Sequence, residues 1–338
     1  MGAGTFAVAS GSGLVFDMRV VNYKILMLAA VSDNRYVDLR LSDQGCTVQA
    51  MVFSGLATTV NKLIDRAEVV ELSGPDAEAF AQSQFSNDVL ALAVDSWQWS
   101  AWLDPQGRVR FLFALLHPRS GQLLAWLPRG NASDMASDLS RFILRSRLTI
   151  ETLPDAGLVE VPTLEKAAWA LVTDNEGWSI DLPGAPLRQV TIRRKWPQTA
   201  VDSARRLEWQ LADIAAGLPW VAAELSCEYT SPALGLERLP AVSLSKGCYP
   251  GQEIVARLHY RGGNKRHCVR LSIEGGQLPV CGELIHMGLS DTPIGRILYA
   301  APTAQAGMRA LAVLPADLTD GTELRLASGC KITHLEIT

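Results

Sequence analysis

The chain has 338 residues, 48% hydrophobic and 20% charged, with a formal net charge of −4. That composition suits a globular protein with more than one core, and the acidic balance excludes a general nucleic-acid coat while allowing a local basic face. No apolar run reaches the roughly 18 residues of a spanning helix, and Cys46, Cys227, Cys248, Cys268, Cys281 and Cys330 form no CxxC pair, which excludes the usual zinc or four-cysteine cluster spacing and points to reduced thiols in a cytoplasmic setting.

Residues 1–66 open with the small-residue run MGAGTFAVASGSG and show no clean period, which predicts an extension of uncertain order. From Ala67, AEVVELSGPDAEAFAQSQFSNDV reads as a strand at Val69–Leu72, a Gly-Pro turn, and a helix begun by Pro75 and Asp76. Ala77, Phe80, Ala81 and Phe85 fall on one side of that helix. SWQWSAWLDPQGRVRFLFALL predicts a β-hairpin that turns at Asp-Pro-Gln-Gly, with Trp97, Trp99 and Trp102 on its first arm. In ASDMASDLSRFILRSRLTI, Ser133 or Asp134 caps an amphipathic helix with Met135, Leu139, Phe142 and Ile143 facing inward. Strand, helix, hairpin and helix in this order make an α+β arrangement.

A second unit starts near Leu158 with a short strand in LVEVPTLEKAAWALVT. The basic run TIRRKW at 191–196 reads as a solvated strand edge, and DSARRLEWQLADIAAGLPWV as a helix closed by Gly217 and Pro219.

SLSKGCYPGQEIVARLHYRGGNKRH, Ser243–His267, carries the most chemistry. Pro250 enters the first turn of a helix, Gln252 and Glu253 lie near its N-terminus, Ile254, Val255 and Leu258 form an apolar stripe, and Gly262 and Gly263 follow its end. Cys248 then sits just before a helix N-terminus with Lys246 two residues earlier, and free amides, the helix dipole and the cation all favour a thiolate. The same residues also suit a small buried hydrophobe in a tight loop. Arg257, Arg261, Lys265, Arg266 and Arg270 follow with no acidic residue between Ile254 and Ile273. They form either a solvated surface or a cradle for carboxylate or phosphate. His259 and His267 lie in this run without a visible carboxylate partner. Beyond Lys265, short β-rich runs broken by glycine predict a small all-β barrel or sandwich over 266–338.

KGCYPGQEIVAR followed by RGGNKR resembles the signature of the YgfZ-type folate-binding proteins, also described as tRNA-modifying or iron–sulfur cluster assembly proteins. These are similar in turn to the glycine-cleavage T-protein, an aminomethyltransferase. VVELSGPDAEAFAQSQFSNDV, LDPQGRV, AGLP at 216–219 and LGLERLPAVSLSKGCY extend the resemblance over Ala67–Thr338. It implies an α+β fold: a three-domain, aminomethyltransferase-like ring around a central channel. The first folate-binding domain would span 67–157, a second carrying KGCYPGQE 158–265, and a C-terminal β-barrel 266–338. The resemblance further implies tetrahydrofolate or a folate derivative as cofactor, iron–sulfur client or assembly proteins as partners, an indirect link to tRNA, and no membrane. Cys248 and Lys246 are implied as the catalytic pair, and Gly247, Tyr249, Gly251, Gln252, Glu253 and Arg257 as cofactor-binding residues, with no metal ligand.

Three positions depart from the pattern. Phe111 and Leu112 stand where the T-protein carries an acidic pair, Ala215 where the superfamily places a pterin-meeting glutamate, and Ser231-Pro232 where a proline-glutamine pair is expected. The resulting expectation is an accessory protein that supports iron–sulfur cluster assembly or repair, notably for tRNA-modifying enzymes. The alternatives are a non-catalytic folate-binding scaffold with a structural Cys248, and a true aminomethyltransferase, which would lack its general acid or base.

Overall fold

The computed structural model describes residues 17–21, 24–28, 37–40, 49–52, 63–161, 169–182, 188–196, 200–305, 307–318 and 321–337. The chain forms two compact units, Met1–Val60 and Asn61–Thr338. In the first, β1 (Asp17–Val21) pairs antiparallel with β2 (Lys24–Leu28), and β3 (Val37–Arg40) with β4 (Gln49–Val52). The remainder of the expected extension lies outside the described residues, apart from β5 (Leu63–Arg66), which belongs to the larger unit.

The larger unit begins with β6 (Glu68–Ser73) and α1 (Ala77–Gln84), then β7 (Ser96–Leu103), β8 (Val109–Arg119), β9 (Gln122–Leu127), α2 (Ala132–Ser140) and β10 (Thr149–Thr152). These strands form an antiparallel sheet ordered β10-β6-β9-β8-β7. Strand alternation sends the two faces of β7 to different cores. Trp97, Trp99, Ala101 and Leu103 join one cluster, while Trp102 joins the cluster beneath α1 and α2 with Phe80, Phe85 and Met135. Asp76 precedes α1 without a side-chain cap bond, and Ala77, Phe80 and Ala81 are its buried face. The cap of α2 is Asn131, whose side chain accepts from the Asp134 amide, rather than Ser133 or Asp134. The helix stops at Ser140, so Phe142 is left 46% exposed instead of facing inward, with its ring edge-on to Trp102.

A second sheet is ordered β12-β13-β14-β11-β5, from β11 (Gly157–Val161), β12 (Leu171–Thr173), β13 (Gly177–Leu182) and β14 (Arg188–Arg193). The basic run TIRRKW is therefore not a solvated edge: β14 pairs on both sides, and Val190, Thr191 and Ile192 are buried. Its arginines are taken up locally, Arg193 by an ion pair with Glu176 and Arg194 by stacking 3.9 Å over Trp178, while Lys195 is exposed. The chain continues through α3 (Ser203–Ala215), capped by the Asp202 side chain, and through α4 (Gln252–Arg261). It closes with a barrel ordered β15-β18-β17-β16-β19-β20, from β15 (Arg266–Glu274), β16 (Leu284–Met287), β17 (Pro293–Pro302), β18 (Gly307–Pro315), β19 (Leu324–Leu326) and β20 (Lys331–Ile337).

The barrel has its own interior, with Ile285, Ile297 and Leu326 among its buried residues. A larger core joins the first sheet, the second sheet, α3 and the outer face of the barrel. Tryptophan builds much of it: Trp99 meets Trp97 at 4.9 Å and Trp220 at 5.1 Å, and Trp220 meets Trp126 at 6.5 Å. No described helix is long and apolar enough to cross a membrane.

Candidate functional site

Lys246 is 7% exposed, and its ammonium donates to the backbone carbonyls of Gln82 at 2.6 Å, Phe85 at 2.5 Å and Asn87 at 3.0 Å. These oxygens lie at and just beyond the end of α1, where helix carbonyls lack intrahelical partners and the dipole favours a cation. Burial pushes the ammonium down to about 8, with Asp88 pulling the other way. An ammonium has three donors, and here all three are engaged. In this arrangement Lys246 anchors the loop on the end of α1.

On the far side of the thiol, Tyr249 is also buried. Its hydroxyl donates to Ser243 O at 3.2 Å, and burial pushes its pKa up to about 12. The Gln252 amide donates back to Lys246 O at 3.2 Å. Gly251 caps α4 with φ +79, and a Cβ built there would lie 2.5 Å from Asp104 O and 2.7 Å from Gly107 Cα. Only glycine lets this loop rest on the β7–β8 turn while adopting that φ. Pro250 precedes the cap instead of entering the first turn.

Two buried anchors thus flank an exposed tip, Gly247 and Cys248. A Cβ on Gly247 would meet nothing within 4 Å. Cys248 is exposed, whereas Cys227, Cys281 and Cys330 are half-buried and Cys268 is buried. A small hydrophobe buried in a tight loop does not describe Cys248. Desolvation pushes the Cys227 and Cys281 thiols up, which disfavours their thiolates. Glu253 and Arg257 stand on the exposed face of α4. Of the basic run, Arg266 donates to Ile294 O and Arg270 to Ala215 O and Glu336, so these two serve the barrel and form no cradle with Arg257. His259 does have a carboxylate partner, Glu237 at 2.9 Å.

Two clefts are lined by other residues. The first, about 420 Å³, is lined in part by Trp126, Arg129, Arg206, Trp209, Gln210 and Asp213. Asp213 is buried, pairs with Arg188 at 2.8 Å and accepts from Trp220 Nε1 at 2.9 Å. Burial pushes its carboxyl up, against the pull of Arg188. Arg188 lies 4.4 Å over the Trp209 ring, and its Nη2 is buried with no hydrogen-bond partner among the described residues. Aromatic walls, a carboxylate and an amide suit a flat heterocycle with polar edges, and Arg129 suits a carboxylate attached to it. The second cleft, about 890 Å³, is lined in part by Trp97, Trp99, Trp169, Glu237, Ser243 and Tyr260. None of Lys246 to Arg257 lines either cleft.

The sequence reading missed Asp213. Its signal is a carboxylate one turn after Trp209, placed in sequence between Leu211 and Ile214. Phe111 and Leu112, at the T-protein's acidic pair, are both buried, and Leu112 packs in the main core.

No protein-family model matches the chain. It is 27% identical over 287 residues to the tRNA-modifying protein YgfZ of Photobacterium profundum, covering 78% of this chain and 86% of that protein. It is 29% identical to the proteins of the same name from Yersinia pestis (81% and 89% covered) and Serratia proteamaculans (82% and 91%). Among solved structures it resembles the glycine cleavage system aminomethyltransferase T of Bartonella henselae, with a TM-score of 0.59 and 15% identity over 81% of this chain and 83% of that one. The fold is aminomethyltransferase-like, and the resemblance to the YgfZ proteins extends over about four-fifths of the chain.

Proposed function

We propose that this protein is a folate-binding accessory factor that supports iron–sulfur enzymes of tRNA modification in the cytoplasm, with Cys248 as its reactive group. The observation that carries the reading is the geometry of the thiol loop. Lys246 and Tyr249 are buried on either side, Gly251 is docked on the β7–β8 turn, and Cys248 alone among the described cysteines is exposed. A thiol held in solvent by two anchors is available to a client protein, and the chain's likeness to proteins named tRNA-modifying supplies the pathway.

In a strain whose only copy carries Cys248→Ala, tRNA nucleosides that depend on iron–sulfur enzymes should fall several-fold while protein abundance and melting temperature hold. Unchanged nucleosides would leave the non-catalytic scaffold as the better reading. An aminomethyltransferase is the weaker alternative, because Phe111 and Leu112 offer no proton acceptor where that chemistry needs one.

The folate part of the proposal rests on the α3 cleft. Asp213 and Gln210 would meet the pterin edge, and Arg129 a glutamate carboxylate. Bound tetrahydrofolate would supply a one-carbon carrier. Calorimetric titration with tetrahydrofolate should show saturable binding that Arg129→Gln weakens and Arg257→Gln does not. The opposite ranking would move the ligand to the Cys248 loop.

A further inference from the structure

The unit also carries a basic aromatic face that the folate reading does not use. Tyr260 on α4 is 75% exposed, and Arg257 and Arg261 lie three residues before it and one after it, both exposed, with exposed Lys265 just beyond the helix. Among the described residues none of these three cations has an ion pair, although elsewhere arginines sit on carboxylates, as Arg110 does on Asp138 and Arg206 on Asp65. Leaving these cations together and unpaired on a chain of net charge −4 creates a local positive field.

His259 and Tyr260 also line the 890 Å³ cleft, which makes the basic face and the cleft continuous. The lining of the cleft also includes tryptophans. Trp169 is 36% exposed and packs 4.8 Å from Trp97. Its backbone is held at φ +68, a region that bulky residues rarely occupy. Trp97 itself is 1% exposed, and its indole NH has no hydrogen-bond partner among the described residues. Asp88 and Glu237 line the cleft as well, Asp88 held by Gln82 and Glu237 by His259. These carboxylates repel phosphate from the cleft but accept from the amino and imino donors of a base.

From this separation of charge we infer that the α4 face and the tryptophan cleft bind single-stranded RNA, with phosphates on Arg257, Arg261 and Lys265 and an unstacked base against Tyr260 and Trp169. Stacking platforms beside a cationic track are the general solution for single strands. The inference rests on the proposed role in tRNA modification for its choice of RNA, and it adds direct contact where that proposal needs only a client enzyme.

The test is a fluorescence-anisotropy titration of the full chain with a fluorescein-labelled ten-nucleotide RNA over a range of salt. Three phosphate contacts predict a slope of about −2 in log affinity against log salt, falling to about −0.7 in Arg257→Gln/Arg261→Gln. Tyr260→Ala should weaken binding roughly tenfold with the slope unchanged. All three side chains are exposed, so melting temperatures should match the wild type. No binding at low salt, a flat salt dependence, or variants that bind like the wild type would each overturn the inference and leave this face to a protein client. Normal RNA binding with tRNA modification indifferent to Cys248 would instead refute the proposed function and leave the RNA face standing.

Discussion

Lys246→Met separates an anchor from a catalyst. In the folded protein the ammonium makes three bonds to carbonyls, each worth roughly 1.5–3 kcal/mol because the donor is charged. Against this stands the cost of burial. A fall from 10.5 to about 8 corresponds to about 3 kcal/mol at 1.36 kcal/mol per unit. The difference predicts a net loss of about 3 kcal/mol for Lys246→Met at pH 7, read as a lower urea midpoint at constant slope. Lys246→Arg should recover little, because a planar fork does not match three carbonyls gathered around one nitrogen. The pH dependence has a definite sign. The folded pKa is depressed, so between pH 8 and 10.5 the unfolded chain binds more protons and stability rises with pH through that window. The wild-type advantage over Lys246→Met should therefore grow through that window. A loss below about 1 kcal/mol at pH 7, with cellular function abolished, would refute the anchor and restore a chemical role for Lys246.

Gly251→Ala should cost about 3 kcal/mol or more, since its Cβ would meet Asp104 O at 2.5 Å on a left-handed backbone; a melting temperature within a degree of wild type would contradict this docking. Native alkylation with iodoacetamide, followed by peptide mapping, should modify Cys248 well before Cys227, Cys268, Cys281 or Cys330, because it alone of these five is exposed; faster labelling of Cys227 would reverse the assignment. Asp213→Ala leaves the Arg188 guanidinium buried without its carboxylate and should cost about 3–5 kcal/mol, whereas a cost near zero would mean that the cleft floods and solvates the charge.

The fold was legible wherever local signals agree. The β7–β8 turn was marked by Asp-Pro-Gln-Gly, α3 by a closing glycine, and the barrel by short β-rich runs between glycines. Misreadings came where a residue's environment is supplied from far along the chain. TIRRKW looks solvated because its partners, Glu176 and Trp178, lie just before and on the preceding strand, and its sheet neighbours are not visible in the run itself. The α2 pattern continued past Ser140 because Phe142 and Ile143 keep the helical spacing after the helix has ended. Lys246 invited a chemical reading beside a cysteine because the carbonyls it caps lie about 160 residues earlier. Gln252 and Arg257 lie near the thiol in sequence, and only the tertiary arrangement shows that the two clefts draw on α3, β7, the 237–245 segment and the end of α4.

Those long-range contacts also explain why the thiol sits on this loop. The segment after α1 is bound to the approach to Cys248 by Ser86 to Ala241 O, Asn87 to Pro240 O and Lys246 to three carbonyls. The loop's other end is held by Gly251 on the β7–β8 turn, whose Gly107 in turn packs on Ile254 of α4. Both ends of the loop therefore rest on the first sheet's domain, although the loop itself leads into α4 and the barrel. Rotation of that domain against α4 would have to break buried hydrogen bonds to a charged donor, which are costly to leave unmade. The exposed sulfur is consequently fixed relative to the first sheet, and a client that docks on that sheet or on α4 meets Cys248 at a set position, without first ordering a mobile loop.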